Sequence, residues 1–124
     1  MSNVKVWSVA AVTVMVSACG DPAGSLKGQA ERYYFACTNN LVGTLDAFEV
    51  SKSDPQYQPA VKSFQKQCRC DAKGLGDVLT DDQLGILIDA HNEGHGGFGT
   101  IAALDKLPAN AKLEAERVLN SCVK

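Results

Sequence analysis

Two histidines and five cysteines are the side chains of this chain whose types and spacing could support metal, redox or nucleophilic chemistry. The densest candidate is His91-Asn92-Glu93-Gly94-His95-Gly96-Gly97-Phe98-Gly99. On a helix, His91 and His95 would stand one turn apart on one face, a spacing able to hold a divalent metal. Against that, Glu93 would point elsewhere, the H-E-x-x-H order of zinc peptidases is absent, and Gly94, Gly96 and Gly97 signal that the helix is ending. Two other readings compete for the same residues. One is a helix C-cap followed by a mobile glycine-rich loop, with imidazoles placed favourably at the negative helix end. The other is an exposed loop, tipped by Phe98, that presents His91, Glu93, His95 and Phe98 to a partner's cleft. No metal ligand set and no cofactor are assigned.

Four cysteines, Cys37, Cys68, Cys70 and Cys122, form an even set that reads as two structural disulfides in a small exported domain. The pair Cys68-Arg69-Cys70 has one intervening residue, fewer than the two to four of zinc knuckles or the two of redox dithiols. For nucleophilic catalysis there is no Gly-x-Ser-x-Gly elbow and no phosphate-cradling loop. The acid pair Asp81 and Asp82 is explained by helix capping. A non-enzymatic role is expected.

The fifth cysteine follows Val16-Ser17-Ala18, itself preceded by Lys5 and the uncharged, largely apolar run from Val6 to Val16. This stretch resembles the lipobox of bacterial lipoproteins. The resemblance implies that residues 1–18 are a signal peptide removed on export, and that Cys19 becomes the acylated, palmitate-bearing first residue. The competing reading is an ordinary signal peptide cut near Ala18 or Gly20, with Cys19 incidental. Gly20 after the cysteine suits outer-membrane sorting, so the expected location is the cell envelope, lipid-anchored and facing the periplasm, with the membrane as partner through Cys19. Residues 19–25 read as a flexible tether.

The elements that must carry these groups fit one domain, residues 26–124. Formal net charge is −2, and no basic composition suggests nucleic acid as a partner. Apolar residues at Leu26, Ala30, Tyr33, Cys37, Leu41, Leu45 and Phe48 trace one helical face, with Ser25 as a cap and a weak region over residues 38–44. Among Tyr33, Tyr34 and Phe35, at least one ring should remain exposed. A second helix should begin near Pro59, bury Val61, Phe64 and Cys68, and end at Gly74 and Gly76. Thr80-Asp81-Asp82-Gln83 is a capping box that opens a third helix, with Leu84, Leu87, Ile88 and His91 inward and Leu79 stapled to Leu84. A short helix from Thr100 to Leu107, with Ile101, Leu104 and Leu107 inward, stops at Pro108. The last helix spans Ala109 to Cys122, with Ala111, Ala115, Val118, Leu119 and Cys122 inside.

These patterns predict an all-α fold, a small bundle of four to five helices with two disulfides. A direct Cys68–Cys70 bridge would close a strained ring, so each should join a distant partner. Cys68 shares the apolar face of Phe64, which favours Cys37–Cys68 and Cys70–Cys122 over the crossed pairing. In outline such a chain is similar to helical immunity proteins that neutralise type VI effectors in the envelope, and to pilotins, which escort secretin subunits. Both resemblances imply a protein partner in the envelope. The immunity reading, an inhibitor of an envelope-targeting effector, requires a protruding plug such as residues 91–99. The alternative, a pilotin-like chaperone or assembly factor, requires an apolar groove between helices.

Overall fold

Apolar positions recurring every three or four residues produce helices along nearly the whole described chain. The computed structural model describes residues 26–94 and 96–123, and the signal segment, Cys19, the tether and His95 lie outside the described residues. Five helices follow one another: α1 (Gln29–Ala47), α2 (Tyr57–Val78), α3 (Asp81–Glu93), α4 (Gly96–Leu104) and α5 (Ala109–Cys122). Among the described residues there is no strand, and no helix is long and apolar enough to cross a membrane.

α1 is the central element, packing along both α2 and α3, while α5 lies on α2 and α4 on α3. Its buried stripe carries Tyr33, Ala36, Cys37 and Asn40, and the helix runs unbroken through residues 38–44 despite their poor propensity. Burial of the flanking stripe outweighs the cost of Asn and Gly, up to about 1 kcal/mol per position. Tyr33 and Tyr34 are buried and Phe35 is half-exposed, as one helical turn requires of three consecutive rings. Phe48, expected inside, follows the end of the helix and is 76% exposed.

The connector is held by short-range bonds, with the Gln56 amide donating to Asp54 Oδ1 at 2.8 Å and the Tyr57 amide to the Asp54 carbonyl at 3.0 Å. Pro59 then sits in the first turn of α2, where an amide hydrogen is not required. α2 does not stop at Gly74 and Gly76 but runs through both to Val78. The reason is close packing: a Cβ on Gly74 would stand 2.5 Å from Cγ1 of Val118 in α5, and one on Gly76 would stand 3.1 Å from Cβ of Ala30 in α1. These glycines are contact sites between helices rather than terminators.

α3 opens on the expected capping box. The Gln83 amide donates to Thr80 Oγ1 at 3.2 Å, and the Thr80 amide donates to Gln83 Oε1 at 3.0 Å. Leu79, Leu84, Leu87, Ile88 and His91 are all buried. Gly94, in the left-handed conformation at φ 79°, closes the helix. α4 begins at Gly96 and ends at Leu104, earlier at both ends than the expected Thr100 to Leu107; Leu104 and Leu107 are buried as expected, whereas Ile101 faces outward at 63% exposure and Ala103 is buried in its place. α5 follows Pro108 over the expected span, burying Ala111 and Ala115, with Val118 and Leu119 packed on the core.

Both disulfides take the favoured pairing. Cys37–Cys68 joins α1 to α2 with Cα atoms 5.8 Å apart, and Cys70–Cys122 joins α2 to the end of α5 across 5.7 Å. They differ in surroundings: Cys37 and Cys68 are buried, Cys70 is exposed and Cys122 partly so.

Candidate functional site

Two features lie side by side where α1, α3 and α4 meet: a buried polar cluster and an open groove beyond it. The cluster centres on His91. Its Nδ1 faces Asn40 Nδ2 at 2.9 Å, and its Nε2 lies 3.1 Å from both Tyr33 Oη and Thr100 Oγ1. The Tyr33 and His91 rings meet edge to face, centroids 5.0 Å apart. Asn40 also clasps Gly96, accepting from its amide at Oδ1 and donating from Nδ2 to its carbonyl, both at 3.0 Å. One residue of α1 thereby secures the first residue of α4 and the imidazole of α3.

Burial governs the protonation of these groups. Loss of water around His91 disfavours its cation and lowers the ring to about 4. Tyr33 is held above the ordinary phenol range by burial, and the nearby Asp71 carboxylate adds to the effect. Asp71, itself buried in α2, is raised to about 6 by desolvation, opposed by a bond from Gln67 Nε2 at 3.0 Å. At neutral pH the cluster therefore holds a neutral imidazole and a phenol that keeps its proton, a set suited to fixing helix positions.

The expected partner-binding residues separate. His91 is a core residue with both ring nitrogens engaged, so it is not available at a surface loop. Glu93 is exposed on the last turn of α3, His95 lies outside the described residues, and Phe98 belongs to α4 rather than to a loop tip. Most of the segment read as a mobile loop is helix, because the Asn40 clasp and the Gly94 cap turn the chain directly from α3 into α4. Among the described residues no group of three or more His, Cys, Asp or Glu side chains is placed to hold a metal.

The groove occupies about 540 Å³ at the C-terminal half of α1. Leu41, Ala47 and Phe48 line it from α1 and its end, and Phe64 from α2. Asn39, Asn40 and Thr44 supply polar atoms, while Gly94 and Gly96 form the wall at the α3–α4 corner. Gly43 leaves its floor open, since a Cβ there would meet nothing within 4 Å. An apolar trough with few polar groups suits an apolar segment more than a charged metabolite. Periodicity alone would not have found it, because the groove arises from Gly43 and from Phe48 lying past the helix end. Comparison with protein families, with characterised proteins and with solved structures gave no match to this chain.

Proposed function

We propose that this chain is an envelope lipoprotein, anchored through acylated Cys19 to the outer membrane and facing the periplasm, whose helical domain binds a protein partner without catalysing a reaction. The groove beside Gly43 and Phe48 carries this reading, and it favours a pilotin-like chaperone or assembly factor that receives an apolar helical segment of an envelope component. A 76%-exposed Phe48 at the mouth of such a trough is an anchor of the kind that dominates binding energy. The second reading, an immunity protein against an envelope-targeting effector, draws on α3. That helix exposes Asp81, Asp82, Asp89 and Glu93 and contains no lysine or arginine, a face suited to a cationic partner.

Two measurements test the proposal. Cys19→Ser should abolish palmitate labelling and release the protein from membranes, because two or three acyl chains supply the anchoring. Photo-crosslinking in the envelope from position 47 in the groove, compared with position 89 on α3, locates the partner. Adducts from position 47 that disappear in Gly43→Phe, a substitution filling open space, support the groove. Adducts confined to position 89 support the immunity reading instead.

A further inference from the structure

Lys62, Lys66, Arg69 and Lys73 recur at steps of four, three and four along α2. At roughly 100° per residue they fall within about 60° of arc, centred about 120° around the helix from the side that buries Cys68, Ala72 and Leu75 against the core. Lys62, Lys66 and Lys73 are exposed and Arg69 is half-buried among them. The described residues of α5 and its C-cap that share grooves with the stripe are uncharged, namely Val118, Ser121, Cys122 and Val123, and among the described residues Asp77 is the only carboxylate lining those grooves. A net-negative protein thus concentrates four of its 12 Lys and Arg residues on one helical face.

The place where the chain enters the fold gives that face an occupant. Leu26 and Lys27, directly after the tether, share a surface depression with Lys73 and Gly76. The tether therefore meets the domain at one end of the stripe. Extended, residues 19–25 reach about 24 Å, while the stripe is about 16 Å long. We propose that the α2 stripe lies on the anionic phospholipid headgroups of the membrane that carries the anchor, holding the bundle side-on to the bilayer. The inference rests on the lipoprotein reading for its setting, but the surface acts through charge and is testable without the lipid.

The test uses the Cys19→Ser variant, so that acylation contributes nothing, in flotation with vesicles of phosphatidylglycerol and phosphatidylethanolamine or of phosphatidylcholine alone. At low ionic strength, binding is expected to the anionic vesicles only and to vanish in 0.5 M salt, since each basic residue near an anionic surface is worth about fivefold in partition. Adding Lys66→Gln and Lys73→Gln should lower the partition about 25-fold, whereas Lys52→Gln with Lys106→Gln, the same change of net charge elsewhere, should leave it within about threefold of the parent. Helical circular dichroism and intact disulfides confirm folding of each variant. Equal binding to both vesicle types, equal losses from the two pairs of substitutions, or no vesicle binding while the stripe captures an acidic protein would each overturn the proposal. Failure of palmitate labelling in the parent chain would instead reject the anchor and leave this result standing.

Discussion

Asn40 turns its amide nitrogen, not its oxygen, toward Nδ1 of His91 across 2.9 Å. The orientation follows from the hydrogen-bond pattern, because Gly96 donates its amide to Oδ1 and accepts from Nδ2 at its carbonyl. A reversed amide would set donor against donor and acceptor against acceptor. His91 Nδ1 must therefore accept, which places the proton of the neutral ring on Nε2, beside Tyr33 and Thr100. Protonating Nδ1 would require the clasp to open, so the geometry and the burial of the ring act in the same direction.

Asn40→Ala should destabilise the domain by about 2 to 4 kcal/mol, because it strands the Gly96 amide and carbonyl together with His91 Nδ1. Urea unfolding measures this, and a loss below about 1 kcal/mol would show that water replaces the side chain. Asn40→Asp presents an acceptor to Nδ1 and should raise the imidazole above its value of about 4, read by NMR titration of the ring. An unchanged titration would refute the assigned orientation.

His91 and Asp71 oppose one another in their effect on stability with pH. The imidazole, lowered from 6.5 to about 4, leaves the folded chain with fewer protons than the unfolded one. Its contribution is complete above pH 6.5 and is lost as pH falls toward 4. Asp71, raised from 3.8 to about 6, holds an extra proton when folded, so its contribution is complete below pH 3.8 and is lost as pH rises through 6. Each displacement is worth on the order of 3 kcal/mol, so the two largely cancel over the shared window. Asp71→Asn should therefore raise the Tm at pH 7.5 and expose a steeper loss of stability below pH 6. A parallel offset of the two Tm profiles at every pH would contradict this account.

The starts of α2, α3 and α5, the capping box and the inward face of α3 were legible because each rests on a local rule: period, cap chemistry, or a proline at a boundary. Polar members of the core were not. Asn40 stands seven residues after Tyr33 and three after Cys37, on the buried stripe of α1, and its spacing was a usable signal that its polarity obscured. Asp71 stands three residues after Cys68 in the same way. Thr100 carried no such signal, since it becomes an inward residue only once α4 starts at Gly96, and that start depends on Asn40 from a distant helix. The exposure of Phe48 likewise depends on where α1 ends, which periodicity does not fix.

Gly74 offers a test of the corrected reading of α2. At an unobstructed position inside a helix alanine would be favourable, since Ala exceeds Gly by about 1 kcal/mol there. Because its Cβ would meet Val118 Cγ1 at 2.5 Å, Gly74→Ala should instead destabilise by about 1 to 3 kcal/mol. Adding Val118→Ala should recover most of that loss, a coupling that a double-mutant cycle detects. Additive effects of the two substitutions would show that α2 and α5 do not meet there.

The two disulfides should part under mild reduction. Exchange begins with attack of an incoming thiolate on sulfur, so access decides which bond yields first. Cys37 and Cys68 are 1% and 0% exposed, shielded on both sides by α1 and α2. Cys70 is exposed, Cys122 is partly so, and Lys66, Arg69 and Lys73 line the same groove. Cations there would stabilise the thiolate that leaves. Limiting dithiothreitol followed by alkylation and peptide mass spectrometry should therefore label Cys70 and Cys122 while Cys37 and Cys68 remain joined. The closed segments, with separations of 52 and 31 residues, each restrict the unfolded chain by an amount worth about 4 kcal/mol. The first reduction should accordingly lower the Tm in one step and loosen α5, whose bridge lies at its final residue, while α1 and α2 stay stapled. Simultaneous labelling of all four cysteines would mean that the bundle opens globally before either bond is reached, and would remove the distinction drawn between the two sites.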